Sequence, residues 1–344
     1  MNILQKSSTR NYTDKDQAKS IRLLFVFLSL ALVATFCISV GVGTANINLW
    51  SVLLGKCSAE STDYRIFMYV RLPRTLGAML CGAALSVAGI QTQAMLNNPM
   101  AAPHIIGVNS GAGLAAIICM AFFPQMYFSV QIGAFFGALL TCILIYTIAV
   151  KTGASRTTII LVGIAISSIL TATINAIKTL FPDSVYNMTS FSVGGFSGIS
   201  TTVIAYCAPL MIICFLWALF MAKDTDVIIL GEETASALGM NINKMRFALM
   251  ICASILAGCA VSMAGLVGFV GLTVPHIVRK FTGNNHSVLI PAGALCGAEF
   301  VLICDTLSRT LFSPYEIPAG ILISFSGGIF FLLIILTKRR MHND

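Results

Sequence analysis

Three arginines, Arg71, Arg74 and Arg309, two acids in apolar surroundings, Glu299 and Asp305, and the segment Gly231-Glu-Glu-Thr-Ala-Ser-Ala-Leu-Gly239 are the residues in this chain best suited to chemistry. Arginine offers a planar fork of donors that matches a carboxylate, so the arginines suit an acidic partner; snorkelling to headgroups is the plainer alternative. A carboxylate in a membrane span costs about 2.5–3.5 kcal/mol on insertion scales, so Glu299 is expected to face inward, paired or protonated. Structural pairing or the lining of a wet cavity suits it better than an ion relay. Nothing in the chain carries nucleophilic, zinc or paired-acid signatures. No G-x-S-x-G or H-E-x-x-H occurs, and the four histidines are far apart. The nearest approach to a nucleotide-binding loop, Gly55-Lys56-Cys57, lacks the upstream glycine and has cysteine where Mg²⁺ needs Ser or Thr. The sequence predicts no enzyme activity and no cofactor, so energy for any active process must come from a partner or an ion gradient.

The elements that position these residues are membrane helices. Of 344 residues, 57% are hydrophobic and 10% charged, and the mean hydropathy is +0.89. Soluble domains carry about 25% charged residues. With about 20 apolar residues per span, the chain reads as an all-α polytopic membrane protein of about ten helices near 21–43, 69–94, 104–123, 128–150, 157–180, 201–222, 246–267, 269–283, 286–305 and 317–337. The first apolar run, Ile21 to Val42, lacks a small-residue cleavage pattern and reads as a retained helix. Residues 1–20 would form a cytoplasmic tail, 21–337 one transmembrane domain with a cytoplasmic segment at 223–246, and 338–344 a second cytoplasmic tail. This topology puts 15 basic residues inside and 6 outside, in accord with the positive-inside rule. The net charge of +8 therefore records orientation and not nucleic-acid binding. The span 269–283 is the weakest, short and carrying Pro275 and His276; without it the Lys338-Arg339-Arg340 tail would lie outside.

Of eleven cysteines, ten fall in apolar spans with no C-x-x-C pair, as small hydrophobes would; Cys57 lies in an outer loop. Gly82-Ala-Ala-Leu-Ser-Val-Ala-Gly-Ile90 echoes Gly258-Cys-Ala-Val-Ser-Met-Ala-Gly-Leu266, and Pro99 and Pro275 each follow ten residues after the second glycine. The copies run in opposite directions, which predicts an inverted repeat. The pairs Gly107/Gly111, Gly133/Gly137 and Gly293/Gly297 predict close helix packing within one subunit.

The one long polar interruption is Lys223 to Arg246, on the cytoplasmic side. Asp224 and Asp226 precede the apolar run Val227 to Leu230. Glu232 and Glu233 would lie in the first turn of a short helix, where acids complement its dipole, and Gly239 is placed to end it. Ala235, Leu238 and Met240 would be presented beside the acids as a docking surface, an ordinary solvated loop being the plainer alternative.

Together these blocks resemble the permease subunits of ABC importers for iron-siderophores, haem and cobalamin. The matching runs are R-L-P-R-T at 71–75, G-A-A-L-S-V-A-G-I-Q-T-Q from Gly82, N-N-P-M-A-A-P from Asn97 and G-V-N-S-G-A-G from Gly107. They continue with G-E-E-T-A-S-A-L-G at 231–239, G-L-V-G-F-V-G-L-T-V-P-H-I-V-R from Gly265, D-T-L-S-R at 305–309 and E-I-P-A-G at 316–320. The resemblance implies an inner-membrane subunit that pairs with a second permease subunit, two cytoplasmic ATPases and an extracytoplasmic substrate-binding protein. It would translocate an iron-siderophore or other iron chelate by alternating access. A cobalamin or haem cargo is the nearer alternative, and an ion-coupled carrier using Glu299 the more distant one. By the same resemblance, Glu232, Glu233, Ala235, Leu238 and Gly239 would seat in the ATPase, and Arg71, Arg74 and Arg309 would receive acids of the binding protein. Glu299 and Asn98 are candidates for a pathway lining or a buried polar contact. Two departures stand out: Gly327-Gly328-Ile329-Phe330-Phe331 lacks the proline of a G-A-P-F-F turn, and Glu299 replaces a small or apolar residue.

Overall fold

Backbone polar groups of long apolar runs can be satisfied in lipid only by internal pairing, and the chain meets that demand with helices. The computed structural model describes residues 3–340 apart from 44, 46, 48–50, 53, 56, 57, 59, 127, 154 and 183. Its helices are α1 (Ile3–Gly41), α2 (Thr62–Leu96), α3 (Val108–Phe122), α4 (Ser129–Lys151), α5 (Arg156–Leu180), α6 (Ser184–Val193) and α7 (Thr201–Phe220). They continue as α8 (Ala222–Ile229), α9 (Glu232–Ala237), α10 (Ile242–Ala264), α11 (Val270–Thr282), α12 (His286–Ser308) and α13 (Ala319–Arg340). A 3-10 turn, Pro103–Ile106, leads into α3. No strand occurs among the described residues.

Each expected span falls on one of these helices. Seven are long and apolar enough to cross a membrane, while α3 and Ala319–Leu333 of α13 are shorter apolar helices. The weak span is α11, whose 13 residues reach only ~20 Å at 1.5 Å per residue, against a hydrocarbon core of about 30 Å. By itself the helix is shorter than that core. Helix α1 starts at Ile3, well before the expected membrane boundary, because no Gly or Pro interrupts it until Gly41. Two elements were not expected as helices: α6, and α8 in the polar island. The Gly327-Gly328 departure leaves no break, since α13 runs through it.

Helices α2 and α10, which carry the two copies of the echoed motif, pack against each other at the centre; 78% of each membrane window is buried. Helix α12 packs on α2 at a crossing of glycines, where a Cβ on Gly82 would collide with the Gly297 carbonyl and one on Gly297 with that of Gly82. Gly111 and Gly137 meet in the same way between α3 and α4. The small-residue pairs thus close helix seams inside this chain. At the other extreme α1 and α5 bury only 17% of their windows. Inside α2 one π-helical turn, Phe67–Arg71, precedes Pro73. Proline has no N–H to donate, and the widened turn accommodates that gap where Arg71 and Arg74 emerge. Ten cysteines are free; Lys56 and Cys57 lie outside the described residues.

Candidate functional site

The polar island folds into two short helices joined at Gly231. Helix α9 has Glu232 and Glu233 in its first turn. It ends in a Schellman arrangement: Gly239 N–H donates to Ser236 O (2.9 Å) and Met240 N–H to Ala235 O (3.0 Å). That geometry needs a left-handed residue, and Gly239 supplies it with φ +83°. Glu233 and Leu238 point outward, Leu238 being 67% exposed. Ala235 does not: its methyl is buried, so it seats the helix on the body instead of joining the presented surface. Beside Leu238 lies a hollow of about 500 Å³ lined by Met221, Val227, Met240 and Met245, with Asp224 and Lys244.

Three ties hold this unit to the membrane helices. Glu232 Oε1 accepts from Arg246 Nη2 of α10 at 2.5 Å and lies 3.1 Å from Arg156 Nε of α5. Asp226 Oδ1 accepts from the backbone N–H of His286 (3.0 Å) and meets its Nδ1 at 2.6 Å, joining α8 to α12. Asn97, a left-handed cap on α2 with φ 44°, donates its side-chain amide to Ile229 O (3.3 Å). The sequence marked Arg156 and Arg246 only as inside charges. Their common partner is a product of tertiary packing, with no local signature.

On the outer side the three arginines lie near one another, but their groups are buried and engaged within the chain. Arg74 Nε donates to both oxygens of Asp305 (2.9 and 3.2 Å), and its Nη1 to Glu316 (2.7 Å). Arg309 Nε lies 3.5 Å from Asp305, while its Nη groups donate to Val42 O (3.1 Å) and Ser39 Oγ (2.5 Å). Arg71 donates to Val40 O (3.0 Å), Gly41 O (2.6 Å) and Ala45 O (2.5 Å). Arg71 and Arg309 thus satisfy carbonyls that the end of α1 leaves free. Asp305, which is fully buried, is the hub. Neither headgroup snorkelling nor a free cationic surface describes this arrangement.

Next to Arg74 and Glu316 is a cavity of about 580 Å³, lined by Gln125, Gln131, Ser190, Ser197 and Ser262 among others. One wall is main chain: Gly195 N–H donates to Ala264 O (2.8 Å), Gly320 N–H to Gly194 O (3.2 Å) and Leu266 N–H to Phe191 O (2.9 Å). A Cβ on Gly320 would strike Val193 O, and one on Gly265 would strike Phe191 O. Helix α6 supplies part of this wall.

Glu299 lies between α1 and α12, half-buried, where Thr35 Oγ1 donates to its Oε1 (2.7 Å) and its Oε2 is buried without a hydrogen bond. Asn98 caps the turn after α2 by accepting from Met100 N–H (2.9 Å); it is half-exposed. Glu299 and Asn98 are brought into neither the inner nor the outer cluster. No group of metal-ligating side chains occurs among the described residues.

A family model described as the FecCD transport family matches residues 31–337. The Fe(3+)-citrate import system permease protein YfmE of Bacillus subtilis is 34% identical over 319 residues, 92% of this chain and 96% of its own. The hemin transport system permease protein HmuU of Yersinia pestis is 33% identical over 331 residues, 94% of this chain and 98% of its own. A solved metal-chelate type ABC transporter in an inward-facing conformation matches with a TM-score of 0.83 at 27% identity, over 92% of this chain and 99% of that one. Near-complete coverage in both directions joins the all-helical fold and the motif order: the chain is a multi-pass membrane permease belonging to the FecCD transport family.

Proposed function

We propose that this chain is the permease subunit of an ATP-binding-cassette importer that carries a ferric chelate inward by alternating access. Its relatives are named for Fe(3+)-citrate and hemin import, which favours a chelated-iron cargo. ATP hydrolysis belongs to separate cytoplasmic chains, in keeping with the absence of a nucleotide-binding loop in this sequence. A second permease subunit would cover the lightly buried face of α5, where Leu161, Ile164 and Ile169 are exposed.

The observation that carries the reading is α9: a short capped helix, tied to the membrane body through Glu232 and Ala235, with Glu233, Leu238 and Gly239 turned outward. A hydrophobic side chain held out on a rigid polar platform fits a partner's groove. On the outer face, Arg71, Arg74 and Arg309 would act as the frame on which a binding protein rests. Arg74 is the point of exchange, because its partner Glu316 is 35% exposed and an incoming carboxylate could take its place. The test is co-purification from membranes that express all subunits. Leu238→Asp is expected to lose the ATPase while remaining folded and monodisperse. Retention of the ATPase at wild-type stoichiometry would remove α9 from the contact.

A further inference from the structure

We propose that Arg156 and Glu232 form the working contact through which displacement of α9 reaches α5, with Arg246 as the fixed side of the same joint. This rests on α9 being the ATPase contact. One carboxylate oxygen of Glu232 serves both arginines, and the two arginines belong to helices of opposite character. Arg246 is buried in α10, the most enclosed kind of span here, with 78% of its window buried. Arg156 opens α5, whose window is 17% buried and whose main contacts are α3, α4 and the turn at Pro103–Ile106.

The two halves of the joint also differ in strength. The Arg246 contact is short and its side chain is 3% exposed, whereas the Arg156 side chain is 27% exposed. The Arg156 Nε approach is a charge contact and not an aligned hydrogen bond. The Arg156 Nε itself is buried, but the remainder of its side chain and the 44%-exposed Glu232 carboxylate meet solvent. Water and salt weaken a pair there, so this half is the more readily broken while the Arg246 side persists. Arg156 is, moreover, at odds with its own helix. It is the first residue of α5, and no acid lies in that first turn. A cation there opposes the helix dipole; Glu232, from another element, supplies the missing negative charge. A shift of α9 therefore changes the electrostatic environment of the α5 N-terminus directly, while α10 stays in place. Arg156 is on this account a positioning residue.

The experiment is amide hydrogen exchange on the full transporter complex, with and without ATP plus vanadate, comparing wild type, Arg156→Ala and Arg156→Lys. In the wild type, ATP plus vanadate is expected to change exchange both at 233–240 and at 157–163. In Arg156→Ala the change at 233–240 is expected to persist, with ATP hydrolysis and subunit stoichiometry retained, while the change at 157–163 falls at least tenfold. Arg156→Lys, which keeps the charge, is expected to restore it. A wild-type complex with no change at 157–163, or an Arg156→Ala complex that keeps it, would overturn the proposal. Loss of the ATPase from Arg156→Ala would overturn it too, by making Arg156 part of the docking contact. Failure of the underlying reading is separate, because it appears as ATPase retained by Leu238→Asp.

Discussion

Asp305→Asn should be among the most destabilising single-atom-scale changes this protein can suffer. The carboxylate is fully buried, two of its contacts are with Arg74 Nε at 2.9 and 3.2 Å, and a third is with Arg309 Nε at 3.5 Å. Asparagine keeps the shape and one acceptor but removes the negative charge between two buried guanidinium groups. Arg74 retains Glu316, whereas Arg309 is left with a carbonyl and a hydroxyl. Removing one member of a buried ion pair costs about 3–5 kcal/mol, chiefly because the surviving charge is stranded. The other acid provides the internal control. The Glu316 side chain is 35% exposed, and a partly solvated pair is worth up to about 1 kcal/mol, so Glu316→Gln should be mild. Equilibrium unfolding in mixed micelles, with denaturing detergent as titrant, reads both. A difference of 3 kcal/mol is about two powers of ten in the folded-to-unfolded ratio. The double variant Asp305→Asn with Arg309→Met should recover part of the loss, since it removes the stranded cation. If Asp305→Asn falls within 1 kcal/mol of wild type, or if Glu316→Gln costs as much, then the buried cluster does not hold α1, α2 and α12 together as described.

Gly82→Ala should reduce the yield of monodisperse protein sharply, because its Cβ would collide with the Gly297 carbonyl and Val301, an overpacking worth at least about 1–3 kcal/mol. Gly258→Ala, at the matching place in the second copy of the motif, should be tolerated, since its nearest neighbours are the Phe135 ring at 3.3 Å and that residue's carbonyl at 3.5 Å. Equal losses in gel filtration would contradict the asymmetry. Glu299→Gln keeps an oxygen for Thr35 to donate to, so ATP-dependent uptake in proteoliposomes should stay within about twofold of wild type and remain insensitive to collapse of the proton gradient, an intramembrane acid with a structural role being the expectation there. Uptake that follows the gradient in wild type and is abolished by the substitution would instead identify Glu299 as a coupling group.

Hydropathy made nine of the ten expected spans legible as apolar helices, because burial in lipid acts on long runs of residues at once; the tenth, α11, is too short for that signal. Helix α9 was equally readable, since its acids, its length and Gly239 are local signals. Ala235 was assigned to the presented surface because a six-residue helix has no periodicity long enough to fix which side faces the body; the tie at Glu232 decides that. The arginine cluster was visible as residues but not as a network. Arg74 finds its acids 231 and 242 positions away, and only the packing of α12 and the loop before α13 against α2 brings them there. The same limit hid the asymmetry of the two glycine motifs: identical letters lie where a Cβ would overlap a backbone carbonyl in one copy and would press only on a phenyl ring at 3.3 Å, with a carbonyl at an ordinary 3.5 Å, in the other.

The wall that α6, α10 and α13 share at the outer cavity is stitched by peptide groups at Gly194–Gly195, Ala264–Leu266 and Gly320. Peptide groups are common to every residue, so that seam depends on the glycines that let strands of backbone approach and on little else. The hydroxyl and amide side chains that share the rest of the lining with Met120, Phe123 and Met126 can then be exchanged independently of it. Exchanging those serines and glutamines should therefore change what the cavity accommodates while leaving the backbone joint beside it intact.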